Sequence, residues 1–170
     1  TGPESSGKTT LANALSKQLS APLVEEASRG YLQALYQRYP GSRYQQNDLL
    51  QIAQLQVQQE QAALVSKPLQ LVCDTDLLVI MIWSEVVYGN CEPALLSLFE
   101  TSLQLAPRSY LLCDHHIPWE PDPLRENPHD RDQLFQLYHD KLNKLGLPFL
   151  HVQGNKMERL GQVTLSYSKS

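Results

Sequence analysis

The spacing of apolar positions changes along the chain, and the change predicts where helices and strands lie. Leu11, Leu15 and Leu19 recur every fourth residue, the spacing that shares one helix face, so a helix is predicted over Lys8–Leu19. Pro22 and a short extended run at Leu23–Glu25 follow. A second helix is predicted over Ser28–Tyr39, stopping near Pro40 and Gly41. Asn47–Val65 reads as a long helix with Leu50, Ala53, Val57 and Leu64 on its core face and Leu55 less central. Its many glutamines read as a solvated face, and Pro68 stops it. Leu69–Cys73 reads as a buried strand ending in Asp74. Leu77–Tyr88 is mostly apolar and long enough for a helix, although Val79, Ile80 and Ile82 also suit a strand. Pro93–Leu105 reads as a helix and Ser109–Cys113 as a strand ending in Asp114. Ile117–Asp130 holds four prolines and reads as a loop. Asp130 or a neighbour caps a helix through Leu145, stopped by Gly146 and Pro148. Phe149–Val152 is the last strand, and a final helix can start at Lys156. Apolar runs alternating with longer helical segments predict an α/β protein with a parallel sheet.

Composition narrows the function classes. A length of 170 residues suits one domain, taken over 1–170 with a lid-like loop at about 117–131. The formal net charge of −4 argues against a nucleic-acid surface, so an anionic ligand needs a local positive site. Cys73, Cys91 and Cys113 form no CxxC pair and read as reduced thiols, with a cytoplasmic location expected. No apolar run approaches the roughly 20 residues of a membrane helix.

Gly2-Pro3-Glu4-Ser5-Ser6-Gly7-Lys8-Thr9 fits the phosphate-loop pattern G-x-x-x-x-G-K-[ST], with Thr10 following. The terminal glycines allow a tight turn and close approach to phosphate. Backbone N–H groups then converge at the positive end of the next helix, where ATP phosphates bind. Lys8 supplies positive charge to the β- and γ-phosphates, and Thr9 offers its hydroxyl to Mg²⁺. Such a loop follows a buried strand, so a hydrophobic strand is expected ahead of Thr1.

Other residues carry candidate chemistry. Asp74 ends an apolar run as a Walker B acid does and is a candidate Mg²⁺ ligand, with Asp114 as its competitor. Asp76 is either a proton acceptor for an attacking hydroxyl or the N-cap of the following helix. Glu26 and Arg29 follow the short second strand, where loops of an open α/β sheet line the ligand crevice, and they are candidate acceptor-binding residues. Arg125, in the proline-rich loop, and Arg131, where it opens the next helix, are candidates for neutralising a migrating phosphoryl group. Trp119, beside Pro118, is a candidate ligand contact. Trp83 is carried as a substrate-side candidate too, although an apolar helix makes core packing its default. His115 and His116 have no matching ligand set in the sequence and are assigned no metal.

These pieces together resemble the nicotinamide riboside kinase domain of the NadR-like P-loop family. The matching stretches are GPESSGKTT at Gly2–Thr10, EEASRGY at Glu25–Tyr31, VCDTDL at Val72–Leu77, WSEVVYG at Trp83–Gly89 and IPWEPDPLRENP at Ile117–Pro128. The resemblance implies a nucleoside-monophosphate-kinase-like sheet with helices on both faces. It also implies ATP-dependent phosphorylation of the 5′-hydroxyl of nicotinamide riboside in NAD synthesis. It carries Lys8 and Thr9 to the triphosphate and magnesium, Asp74 to the Walker B acid, and Asp76 to its neighbour. Glu26 and Arg29 go to the acceptor side and Arg125 to the lid. His116 and Pro123 depart from the family, which often has an acid and a glycine there. Adenylyltransferase and DNA-binding domains often accompany this domain in the family, and their activities are not inferred.

Three other readings compete. A GTPase is disfavoured because Asn155-Lys156-Met157-Glu158 ends in Glu and no D-x-x-G switch occurs. An ATP-responsive regulatory module would carry the same loop. A kinase for another nucleoside would carry the same loop and lid.

Overall fold

The computed structural model describes residues 1–124 and 129–167. The chain divides into two compact units, one formed by Thr1–Leu23 with Arg108–Ser170 and the other by Val24–Pro107.

In the first unit, α1 (Lys8–Leu19) has the predicted bounds and buries Leu11, Ala12 and Leu15. Strands β3 (Tyr110–Cys113) and β4 (Phe149–Val152) run parallel, in register from Tyr110 opposite Phe149 to Cys113 opposite Val152. Helix α6 (Arg131–Lys144) connects them, the expected crossover of a parallel pair. α7 (Lys156–Tyr167) packs against α1 and β4. Leu112, Leu142, Val152 and Val163 form the centre of this core. Asp130 stands at the N-cap of α6 but makes no side-chain cap hydrogen bond. Gly146, at φ 63°, ends α6 as predicted.

The backbone of Thr1 lies alongside β3. Its amino group donates to Leu111 O at 2.8 Å, and Cys113 N donates to Thr1 O at 2.9 Å. That is the slanted pattern of a parallel ladder. Asp114 N donates instead to Val152 O, so Thr1 and β4 flank β3 on opposite edges.

Gly2 is the tightest point of this join. Its φ is 132°, and a Cβ there would come 2.8 Å from Cys113 O. Gly2→Ala is expected to cost roughly 1–3 kcal/mol through strain and clash, lowering Tm by several degrees. Gly161→Ala, in open space on α7, serves as the control. An unchanged Tm for Gly2→Ala in thermal unfolding would refute the close approach.

In the second unit, α2 (Ala27–Arg38), α4 (Leu77–Tyr88) and α5 (Pro93–Ser102) each contact α3 (Gln46–Leu64). β1 (Leu23–Val24), at the boundary of the units, pairs with β2 (Val72–Cys73), and Asp74 N donates to Val24 O at 2.8 Å. α4 is helical despite its β-branched residues, because it buries Leu77, Leu78, Ile80, Met81 and Ile82 among helices.

Two expectations need correction here. The core face of α3 is Leu49, Ile52, Ala53, Gln56, Val57 and Glu60, whereas Leu50, Leu55 and Leu64 are half-buried. Three helices pack on α3, so its buried stripe follows their seam and includes two polar side chains. Gln56 therefore does not belong to a solvated face: its Oε1 accepts from Ala27 N at 3.0 Å, capping the start of α2. The strand predicted at Leu69–Cys73 shrinks to Val72–Cys73, and Leu69 is fully exposed. Its partner β1 is only two residues long, and Lys67 at φ 49° turns the chain just before it.

Candidate active site

The phosphate loop is shaped by three residues with positive φ: Gly2 at 132°, Ser5 at 52° and Gly7 at 77°. Serine rarely adopts that conformation, so Ser5 marks strain held by its surroundings. Ser5 Oγ accepts from Glu120 N at 2.9 Å, and Ser5 O accepts from Arg131 at 3.2 Å. Pro3, Ser5 and Ser6 are buried, Glu4 and Lys8 are half-buried, and Thr9 and Thr10 are exposed. Lys8 Nζ donates to Gly2 O at 2.9 Å and to Pro3 O at 2.6 Å, so the ammonium sits over the loop that its sequence position assigns to it.

The loop fits a polyphosphate with its metal. The N-terminus of α1 has no side-chain cap, and the buried Ser6 Oγ has no hydrogen-bond partner. An anion at this helix terminus gains from both the N–H groups and the helix dipole. The Thr9 hydroxyl, on the first turn of α1, is the kind of hard oxygen donor that Mg²⁺ takes.

Arg159, on α7, is a residue that the sequence did not single out. It is 3% exposed. Its guanidinium donates to Ser6 O at 2.5 Å, Asp114 O at 3.0 Å and Gly154 O at 2.8 Å. One planar fork thereby joins the phosphate loop, the end of β3 and the loop after β4. Arg131 plays a similar part: besides Ser5 O it donates to Ile117 O at 3.0 Å and to His115 O, and it lies over the Trp119 ring at 5.9 Å. The candidate lid arginine Arg131 and the candidate contact Trp119 are thus brought together beside the loop. Arg125 lies outside the described residues.

Asp114, buried after β3, receives the His116 N–H at 2.6 Å. His116 Nδ1 lies 2.7 Å from its Oδ1 and His151 Nε2 lies 3.1 Å from its Oδ2. Burial raises its pKa, but the hydrogen bonds from the backbone and ring of His116 and from His151, with the charge of His116, outweigh burial and hold the carboxyl below its ordinary value. An open pocket of about 550 Å³ lies beside it, lined by Asp114, His116, Gln153, Gly154, Glu158 and Gln162. His115 and His116 were assigned no metal from sequence spacing, yet the fold gathers Asp114, His115 and His116 with ligand atoms all within 4.8 Å of one another.

In the second unit, Asp74, Thr75 and Asp76 are all buried, and Thr75 has φ 74°. A β-branched residue in that region is strained, and such strain concentrates at functional sites. Asp76 is the N-cap of α4, with Oδ1 accepting from Leu78 N at 3.1 Å. Glu26, half-buried at the start of α2, accepts from Ser28 Oγ at 2.6 Å, while Arg29 is exposed. Trp83 is half-buried; its Nε1 donates to Tyr44 OH at 2.9 Å, and the rings meet edge to face at 4.9 Å. Tyr44, Gln56, His151 and Arg159 escaped the sequence reading because none lies in a recognisable motif. Each acquires its role from a partner distant in the chain.

No described helix is long and apolar enough to cross a membrane. No curated protein matches the chain. Among solved structures, the crystal structure of NadR protein in complex with NAD and AMP-PNP superposes with a TM-score of 0.66 at 19% identity, covering 91% of this chain. The match takes in only 43% of that chain, and at this identity it shows a shared fold. That fold is α/β with a NadR-like P-loop arrangement, as the sequence implied. The profile of a family described as an AAA domain (AAA_28) matches residues 1–159. With the phosphate loop, the parallel β3–β4 pair and nearly the whole chain within that match, the chain belongs to this P-loop family.

Proposed function

We propose that the chain is an ATP-dependent kinase whose acceptor is a small nucleoside, with nicotinamide riboside as the substrate and nicotinamide mononucleotide as the product. The observation that carries the reading is the phosphate loop: strained Ser5, two positive-φ glycines and Lys8 over the loop, ahead of an uncapped helix N-terminus. The fold shared with NadR protein, solved with NAD and AMP-PNP, supports an acceptor of that chemistry.

In this reading Lys8 neutralises the β- and γ-phosphates while the loop amides hold them, so that charge moving to the leaving oxygen is met by fixed positive groups. Magnesium, when bound, adds charge to the phosphate oxygens, with Thr9 and the Walker B candidate Asp74 as its proposed ligands. Arg131, with Trp119 beneath it, steadies the loop segment from His115 to Glu120. Asp76 is proposed to accept the hydroxyl proton through the carboxylate that also caps α4. Glu26 and Arg29 are proposed to hold the nucleoside, with Trp83 offering an aromatic edge.

A coupled ADP-release assay with ATP and Mg²⁺ over a panel of nucleosides tests the proposal. Nicotinamide riboside is expected to stimulate ADP release above every other nucleoside. Stimulation by a different nucleoside alone would replace the acceptor. Slow ATP hydrolysis indifferent to all of them would replace the kinase with an ATP-responsive module.

A further inference from the structure

We propose that Asp114, His115 and His116 form a binding site for one divalent transition-metal ion of the zinc class, separate from any magnesium that accompanies nucleotide. Three observations converge on it. First, one ligand atom from each of the three residues lies within 4.8 Å of the others. Second, His115 is buried, its Nε2 is hydrogen-bonded to Asp132 Oδ1, and its Nδ1 is buried with no partner. A carboxylate that grips one ring nitrogen and leaves the other to face a metal is the usual arrangement of a ligating histidine. Third, the donor atoms are spaced for a shared ion. His116 Nδ1 lies 2.7 Å from Asp114 Oδ1, and His151 Nε2 lies 3.1 Å from Oδ2. Neighbouring donors around a tetrahedral zinc ion stand about 3.3 Å apart, so the His116–Asp114 pair needs to open by about 0.6 Å.

The donor set selects the ion. Two imidazole nitrogens and one carboxylate oxygen suit zinc, cobalt or nickel, whereas magnesium and calcium take oxygen. Arg159 and Arg131 donate to the backbone carbonyls of Asp114 and His115. The side chain of His116 is 75% exposed and opens on the pocket lined also by Gln153 and Glu158, so a water or a fourth protein donor can complete the shell. His151 supports the Asp114 carboxylate from the other side.

The test is titration of the full chain with Co²⁺ in the absence of nucleotide, following visible d–d absorption. One Co²⁺ per chain is expected, with an absorption band that zinc displaces stoichiometrically and a chelator removes. His116→Ala, an exposed change, is expected to weaken binding at least tenfold, and Asp132→Asn, which frees the His115 ring, about tenfold. Circular dichroism checks that each variant is folded; if His115→Gln is not, His116→Ala and His151→Ala carry the comparison. Absence of a stoichiometric band, or equal affinity in wild type and His116→Ala, would overturn the site. Neither result bears on nucleoside phosphorylation, which is assayed separately.

Discussion

Lys8→Ala is expected to lower kcat for ATP turnover by about 10²- to 10³-fold, the scale of losing one preorganised charge at a developing anion. The lysine has two roles that the substitution removes together. Its ammonium is the loop's only full positive charge within the motif. It also bridges Gly2 O and Pro3 O, at 2.9 and 2.6 Å, and so helps hold the loop closed. Lys8→Arg separates these roles, since it keeps the charge in a larger planar group that cannot act as a compact point donor. Nucleotide binding by calorimetry and kcat by the coupled assay, measured on variants with unchanged Tm, report the two effects. Full turnover by Lys8→Ala would remove the phosphate loop from the mechanism.

Arg159→Met is expected to destabilise the first unit strongly, costing about 3 kcal/mol as three carbonyls lose a shared charged donor. Methionine keeps most of the volume, so the loss reports hydrogen bonding rather than a cavity. The three carbonyls it leaves, on Ser6, Asp114 and Gly154, lose a shared charged donor. A Tm fall of roughly 10 °C follows for a chain of this size. Nucleotide affinity is expected to fall with it, because Ser6 lies in the loop that binds phosphate. Arg159→Lys keeps the charge but not the fork, and should recover only part of both quantities. A Met variant with wild-type Tm and nucleotide affinity would show that the clasp holds nothing in place.

The sequence was most informative where local rules decide the outcome. The bounds of α1, α4 and β4 match those expected from periodicity, from the phosphate loop before Lys8 and from Asp76 as N-cap, and Gly146 ends α6. It was least informative where neighbours decide. α3 carries apolar residues on more than one side, and the helices packed on it select Leu49 and Ile52 over Leu50 and Leu64. Gln56 could not be separated from the surrounding glutamines without knowing that Ala27 N needs an acceptor. The candidate site divides the same way. The loop was legible because eight consecutive residues specify it. The Arg159 clasp and the histidines around Asp114 were not, because α7 and β4 must first be docked for those side chains to converge.

Those long-range ties also govern when the phosphate loop can take shape. Thr1 is tied to Leu111 across 110 positions, Ser5 to Arg131 across 126 and Ser6 to Arg159 across 153. Contacts of such sequence separation form late, because loop-closure entropy opposes them until the intervening chain has folded. The phosphate-loop residues, made before the segments they bond to, are therefore among the last to become ordered. Nucleotide binding by a nascent chain would report that β3, α6 and α7 had all been synthesised and docked.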